Sequence, residues 1–175
     1  MKKPKKHLQD FRIDKLTNSI ENVISKDSFK TEVLPVSSKD LRGITKANGW
    51  RFNWKSEFKE SDRTVYKLVI VDNVKIIQGL ISLTPTTDNV FMHLIETAPF
   101  NFGKNKLYLG VSGNLVAFAC RQSFLRGTEG YVSFRSKTNL IKHYEEKLNA
   151  EHSGGHLMII NRIAALNLIE KYFDQ

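Results

Sequence analysis

The stretch KLYLGVSGNLVAFACRQSF, Lys106 to Phe124, decides the fold, because a turn with two glycines runs directly into an apolar segment. Leu115 to Leu125 is apolar on most faces, which predicts a largely buried helix. Gly110 and Gly113 indicate either a tight turn or a place where a ligand approaches the main chain closely. A glycine pair before a helix is also a common capping or packing device, so both interpretations stay open.

A helix beginning at this turn would present unpaired N–H groups and a partial positive charge. A glycine turn lets a phosphate come within hydrogen-bonding distance of those groups. Lys104 and Lys106 add positive charge beside the turn. The pattern therefore predicts a phosphate-binding loop at the start of the helix.

Upstream of the turn, short runs rich in β-branched residues predict strands. They cover residues 29–36, 65–71, 74–83 and 89–98. Asp72 and Asn73 mark a turn between the second and third of these runs, which predicts a hairpin. A short helix is expected around residues 38–49, and the alternation of Trp50, Phe52 and Trp54 predicts one face of a further strand.

Downstream, the pattern alternates between strands and helices. Strands are predicted at residues 130–134 and 155–160, and helices at 137–150 and 162–173. The chain thus reads as a β-meander followed by β–α–β–α–β, which requires a parallel strand pair with a right-handed crossover. The sequence predicts a mixed α/β fold, with a central mixed sheet flanked by helices.

The length, composition and net charge of the chain restrict the class of protein. The chain has 175 residues, 41% of them apolar, and a formal net charge of +9. We expect a basic N-terminal extension over residues 1–28 and a single domain over 29–175. The absence of an 18-residue apolar run argues against a membrane span, and the lone Cys120 is expected to be a buried apolar residue. These features favour a cytoplasmic protein with an anionic partner.

Over roughly residues 60–160 the chain resembles the GNAT superfamily of acetyl-CoA-dependent N-acetyltransferases. Its diphosphate-binding loop has the pattern Q/R-x-x-G-x-G/A; here Gly110 matches the first glycine, Ser112 stands at the second and Gly113 follows. Leu107 occupies the Gln/Arg position, so the match is partial. The resemblance implies that acetyl-CoA is held by Lys104, Lys106, Leu109, Gly110, Val111, Ser112, Gly113 and Asn114.

Two other stretches carry the resemblance. Gly79 stands where the family's third strand has a glycine, and Asn139 and Tyr144, five residues apart, correspond to the Asn and Tyr of its N-x-x-A-x-x-x-Y motif, which places them seven apart. The resemblance implies that Tyr144 protonates the leaving thiolate and that Asn139 holds the pantetheine arm. It also implies that the strand over 89–98 splays from its neighbour, which leaves Ile95, Glu96 and Thr97 to pair with pantetheine.

A base is needed because most amines arrive protonated. Glu96 is the first candidate and His93 the second, although residues three apart on a regular strand face opposite sides. A β-bulge would bring both side chains to one side. The alternatives are a solvated rim charge for Glu96, a hydrogen-bonded sheet histidine for His93, and a tyrosine packed on the sheet for Tyr144.

The resemblance implies an acyl-CoA-dependent N-acyltransferase of GNAT type that needs no metal. Acetyl-CoA is the expected donor, and the acceptor is an amine on a small molecule, a protein or an aminoacyl-tRNA. No strand is evident after residue 160, so three alternatives stand for the acceptor pocket: it is open, it is completed by a second subunit of a homodimer, or it is completed by the N-terminal part of the chain. The alternative is a non-catalytic binding module of the same fold, which uses its basic surface to hold nucleic acid or another anionic partner.

Overall fold

The computed structural model describes residues 7–17 and 19–173. The strands are β1 (Ser19–Asn22), β2 (Ser28–Pro35), β3 (Thr64–Ile70), β4 (Asn73–Pro85), β5 (Val90–Thr97), β6 (Tyr108–Leu109), β7 (Val132–Arg135), β8 (Glu151–His152) and β9 (Leu157–Ile160). The α-helices are α1 (Trp54–Lys59), α2 (Val111–Leu125), α3 (Ile141–Leu148) and α4 (Arg162–Phe173). Among these described residues, no helix has the length and apolar character needed to cross a membrane.

Within the described part of the chain, nine strands form one mixed sheet in the order β6-β1-β2-β3-β4-β5-β7-β9-β8. Strands β2 to β5 form the predicted antiparallel meander, and β3 and β4 are the predicted hairpin. Strands β5 and β7 are parallel and are joined through α2. The predicted mixed sheet with one parallel pair is therefore confirmed.

Apolar side chains on the two faces of the sheet build separate cores. The larger core lies between the sheet and α2, α3 and α4, and the predicted burial of α2 is confirmed along most of its length. Cys120 is fully buried there, and burial raises the pKa of its thiol. The smaller core packs α1 and the loops before it against the other face of the sheet.

The part of the chain before β1 is extended and packs into the larger core. We call residues 7–17 the N-terminal segment. Its Phe11 and Ile13 are buried, whereas Arg12 between them and Asp14 after them are exposed. This alternation is that of a strand with one buried face. The segment is thus anchored to the domain by its apolar side chains.

The expectation for residues 38–54 is wrong in two details. Two short 3₁₀ turns, Asp40–Arg42 and Lys46–Asn48, replace the single short helix. The aromatic alternation does not form a strand, because the side chain of Asn53 accepts the N–H of Ser56 and caps α1. Trp54 begins that helix and is completely buried. The cap at Asn53 overrides the period-two pattern.

Candidate functional site

A cavity of about 500 Å³ lies at the carboxyl end of β5. It is bounded by the start of α2, the loop before α2, the turn before α3 and the N-terminal segment. Its lining comprises Asp10, Phe11, Arg12, Asp14, Arg51, Ile95, Glu96, Thr97, Asn101, Phe102, Gly103, Lys104, Lys106, Ser112, Lys137, Asn139 and Leu140. Seven residues predicted to bind the cofactor meet here: Ile95, Glu96, Thr97, Lys104, Lys106, Ser112 and Asn139.

The cavity lies where β5 and β7 part. The two strands pair at Val90–Val132 and Phe91–Ser133, and no further pair joins them in the described chain. Beyond that point Gln9 of the N-terminal segment lies between them and forms a parallel bridge with Ser136. The splay implied by the resemblance is thus present, and the protein's own main chain lies inside it.

Gly110 adopts a positive φ of 94° immediately before α2, a conformation that favours glycine. A Cβ atom at this position would lie 2.9 Å from the carbonyl oxygen of Ser19. The N–H of Gly110 donates to the Asp14 carboxylate at 2.9 Å, and the same carboxylate pairs with Lys106 at 3.0 Å. A carboxylate therefore sits where the sequence predicted a phosphate.

Other members of the predicted loop have packing contacts. A side chain on Gly113 would collide with the hydroxyl of Tyr172, and buried Val111 lies against Gly79. The amide of Asn114 donates to the carbonyl oxygen of Gly110 at 2.8 Å. These residues, and Leu109 in β6, do not line the cavity. Of the glycine turn and the first residues of α2, Ser112 alone does so among the described residues.

The cavity contains more positive than negative charge. Five lining residues are basic and three are acidic, since Arg12, Arg51, Lys104, Lys106 and Lys137 accompany Asp10, Asp14 and Glu96. Two of those three acids belong to the N-terminal segment. The cavity without that segment is therefore suited to an anion.

Glu96 is buried, and its carboxylate is occupied by hydrogen-bond donors from the α1 side of the sheet. It accepts the N–H of Arg51 at 2.7 Å, the indole N–H of Trp54 at 2.7 Å and the N–H of Phe52 at 3.4 Å. The guanidinium of Arg51 lies 3.6 Å away and stacks on the ring of Phe102. Glu96 thus fixes the main chain that aims Arg51 into the cavity.

His93 lies at an irregularity in β5. Leu83 pairs with Met92 and Ser82 with Leu94, so His93 is the extra residue of a β-bulge. Its Nε2 lies 2.7 Å from the hydroxyl of Thr84, in a groove of about 390 Å³ on the sheet surface. The bulge considered from the sequence is therefore present at this strand.

The phenol of Tyr144 lies outside the cavity lining and is completely buried. Its hydroxyl donates to the carbonyl oxygen of Phe11 at 2.6 Å, and its ring packs on Phe11 and Phe134. Burial, reinforced by the charge of Asp10, raises the pKa of Tyr144. The phenol therefore keeps its proton and is covered by the N-terminal segment.

The sequence did not indicate that the N-terminal segment lies in the predicted cofactor cavity rather than at the acceptor pocket, or that Arg51 lines this cavity. The signal that this segment packs on the domain was the alternation in LQDFRID, which places Gln9, Phe11 and Ile13 on one face and three charged residues on the other. The four lysines in the first six residues account for the predicted basic extension, whereas this period of two predicts a strand with one buried face. Nothing in the sequence near Arg51 indicated its partners, which come from two distant parts of the chain.

His143 makes segment docking sensitive to pH. Its Nε2 accepts the N–H of Ile13 at 2.9 Å, which requires a ring nitrogen without a proton. Burial, with the charges of Arg12 and Lys147, lowers the pKa of His143 below its ordinary 6.5, against the opposing effect of Glu146. The unfolded chain therefore binds more protons at this site, and the contact loses stability as the pH falls below 6.5 toward the lowered pKa.

We expect the His143→Gln variant to lose less stability on acidification than the wild type. Its amide oxygen can accept the same N–H and does not titrate near neutral pH. The measurement is the free energy of urea unfolding from about pH 7.5 to about pH 5.0. Parallel curves for the two proteins would show that this contact does not carry the pH dependence.

This protein resembles known proteins in its structure but matches none of them by sequence. No family model matches the chain, and no curated protein is similar enough in sequence to match. A chimera of the Vibrio cholerae spermidine N-acetyltransferase with hSSAT superposes with a TM-score of 0.55 at 15% identity, over 78% of this chain and 98% of that one. The Vibrio cholerae enzyme solved with CoA and spermine gives 0.53 at 15% identity, over the same shares of the two chains.

A further structure, of mutant forms of the spermidine/spermine N-acetyltransferase from the same organism, gives 0.54 at 16% identity, over 79% of this chain and 98% of that one. These similarities span nearly the whole length of the compared proteins. They confirm that this chain has the GNAT-type acyltransferase fold expected from its sequence.

Proposed function

We propose that this protein is an acyl-CoA-dependent N-acyltransferase that transfers an acetyl group from acetyl-CoA to an amine. The observation that carries the proposal is the parting of β5 and β7 beside a cationic cavity at the start of α2. A parted strand pair can hold the amides of pantetheine, and the cavity suits a diphosphate. The Vibrio cholerae neighbour of the same fold was solved with CoA.

In the proposed reaction the neutral amine attacks the thioester carbonyl, and the C–S bond breaks as the C–N bond forms. We assign Tyr144 as the acid that protonates the departing thiolate once its hydroxyl is released from Phe11. We assign His93, in its surface groove, as the group that takes the proton from the amine. Glu96 has its carboxylate occupied by three donors and positions Arg51 instead.

The donor site has four cationic side chains outside the N-terminal segment: Arg51, Lys104, Lys106 and Lys137. We assign the phosphates of CoA to these residues and to the N–H of Gly110. Ile95, Thr97 and Asn139 line the path that we assign to pantetheine.

A polyamine is one acceptor to test, because the neighbours of this fold described above are spermidine N-acetyltransferases. A homodimer and a cytoplasmic location remain predictions from the sequence.

The function is tested by incubating the full chain with acetyl-CoA and a panel of polyamines, amino-acid amides, peptides and aminoacyl-tRNA. Release of free thiol that depends on one amine, with the acetylated amine found by mass spectrometry, is the expected result. The alternative of a nucleic-acid-binding module predicts no thiol release, no CoA binding by calorimetry, and salt-dependent binding of tRNA.

The donor site is tested with the Lys104→Glu variant, which we expect to bind CoA about tenfold more weakly. A glutamate beside the phosphates replaces attraction by repulsion. Lys75→Glu is the matched control, because it makes the same change of charge on an exposed part of β4. If calorimetry gave equal CoA dissociation constants for the two variants, the CoA phosphates would not bind in this cavity.

A further inference from the structure

We propose that the N-terminal segment is a built-in competitor of the cofactor: it occupies the CoA channel and must leave before CoA can bind. The inference rests on the proposed function. It comes from the course of the segment, which runs from the gap between β5 and β7 to the N–H of Gly110, the residue that precedes α2. Four of its residues, Asp10, Phe11, Arg12 and Asp14, line the same cavity as Ile95, Thr97 and Asn139, to which the proposal assigns pantetheine.

At the gap between the strands the segment makes main-chain contacts in the manner of a strand. The N–H of Gln9 donates to the carbonyl oxygen of Arg135 at 2.6 Å, and its carbonyl oxygen accepts the N–H of Lys137 at 3.1 Å. The side-chain amide of Gln9 donates to the carbonyl oxygen of His93 on β5. Gln9 therefore uses groups on both parted strands that an amide-bearing arm would need.

In the middle of its course the segment covers the proposed acid. The hydroxyl of Tyr144 donates its hydrogen bond to the carbonyl oxygen of Phe11, so its proton is not available to a thiolate. Phe11 itself fills the space against the Tyr144 ring, with ring centroids 4.7 Å apart. The site is catalytically closed while the segment is docked.

Near α2 the segment supplies an anion of its own. The carboxylate of Asp14 accepts the N–H of Gly110 and pairs with Lys106, and so takes the contacts that a phosphate would make. A carboxylate is stabilised at a helix N-terminus for the same reason as a phosphate. Asp14 thus mimics the charge as well as the position of the diphosphate.

A second carboxylate of the segment neutralises other cations of the cavity. Asp10 lies 3.0 Å from the Lys137 ammonium and 3.5 Å from the Arg51 guanidinium. Together the two aspartates engage three of the four cationic side chains that the donor site provides outside the segment. Bound CoA and the docked segment would need the same cationic side chains. The two therefore cannot be bound at the same time.

Mutual exclusion has a quantitative consequence. If CoA binds only the fraction of molecules with an undocked segment, the apparent dissociation constant rises in inverse proportion to that fraction. Weakening the segment's ionic contacts should therefore tighten CoA binding, although the substitutions add nothing that touches CoA.

The test compares CoA dissociation constants of full-length variants by calorimetry. We expect Asp10→Asn/Asp14→Asn to bind CoA about tenfold more tightly than the control Asp27→Asn/Asp72→Asn. The control removes two carboxylates on exposed turns away from the cavity, so it reproduces the change in net charge. Equal affinities of the two double variants would overturn the inference and leave the proposed function standing.

A second measurement uses the wild-type chain, so it does not depend on how a variant folds. We expect saturating CoA to accelerate hydrogen exchange of the segment amides, including those of Gln9 and Ile13, which are hydrogen-bonded when docked. CoA binding with unchanged or slower exchange in residues 7–17 would overturn the inference. Failure of every form to bind CoA would overturn the inference and the proposed function together.

Discussion

We expect Tyr144→Phe to lower turnover about a hundredfold at saturating acetyl-CoA and amine, because the departing thiolate would lose the proposed proton donor. We expect no fall in CoA affinity. The variant also loses the hydrogen bond from Tyr144 to Phe11, which holds the N-terminal segment over the site. The expected signature is therefore a lower kcat accompanied by an equal or smaller dissociation constant for CoA.

Tyr172→Phe is the matched control for this prediction. Tyr172 is also buried, and its hydroxyl donates to the segment at the carbonyl oxygen of Lys15, 2.9 Å away. Removing it loosens the segment in the same way but leaves the proposed acid in place. Stopped-flow detection of free thiol measures both variants. A Tyr144→Phe enzyme with the turnover of Tyr172→Phe would show that Tyr144 is not the acid.

We expect Glu96→Gln to lower the free energy of unfolding by about 2–3 kcal/mol, the magnitude typical of leaving buried hydrogen-bond donors without an acceptor. The buried carboxylate meets donors at both oxygens, at 2.7 Å from the N–H of Arg51 and 2.7 Å from the indole of Trp54. A glutamine amide must turn its NH₂ group toward one of them. That NH₂ group then faces a buried N–H, which loses its acceptor, while the NH₂ group itself has none.

A double-mutant cycle with Trp54→Phe tests that cause. Trp54→Phe removes the indole N–H, so the amide of Glu96→Gln can face that side without opposing it. We expect the double variant to be more stable than the sum of the single effects, with a coupling of about 1–2 kcal/mol from urea unfolding. Additive losses would show that Glu96 does not hold the residues around Trp54 through its carboxylate.

The location of the cavity follows from local features of the chain. The β-branched runs specify β3, β4 and β5, and the glycine turn specifies where α2 begins. Parallel pairing of β5 with β7 then follows from the crossover through α2. These features place Ser112 and the end of β5 at one edge of the sheet, which is why seven predicted cofactor residues share the cavity.

The roles of individual side chains depended on contacts between distant parts of the chain. Glu96 could be placed at the end of β5 from sequence, but its donors come from residues more than forty positions earlier. Gly113 matched a phosphate-binding pattern, yet the structure places Tyr172 of α4 where its side chain would be. Spacing within one element carries no information about which remote element fills the adjacent space.

The sequence by itself determined the order of the main strands and helices outside residues 38–54, the parallel pair and the buried helix that follows the glycine turn, because period, propensity and turn chemistry act over a few residues. The helix begins at Val111, four residues before the predicted start at Leu115. The tertiary structure alone decided what lies between the parted strands. Gln9 meets Ser136 and Asp14 meets Gly110 across about a hundred residues or more of chain. Such contacts form only when remote segments compete for the same unpaired main-chain groups and charges, and that competition leaves no local pattern to read.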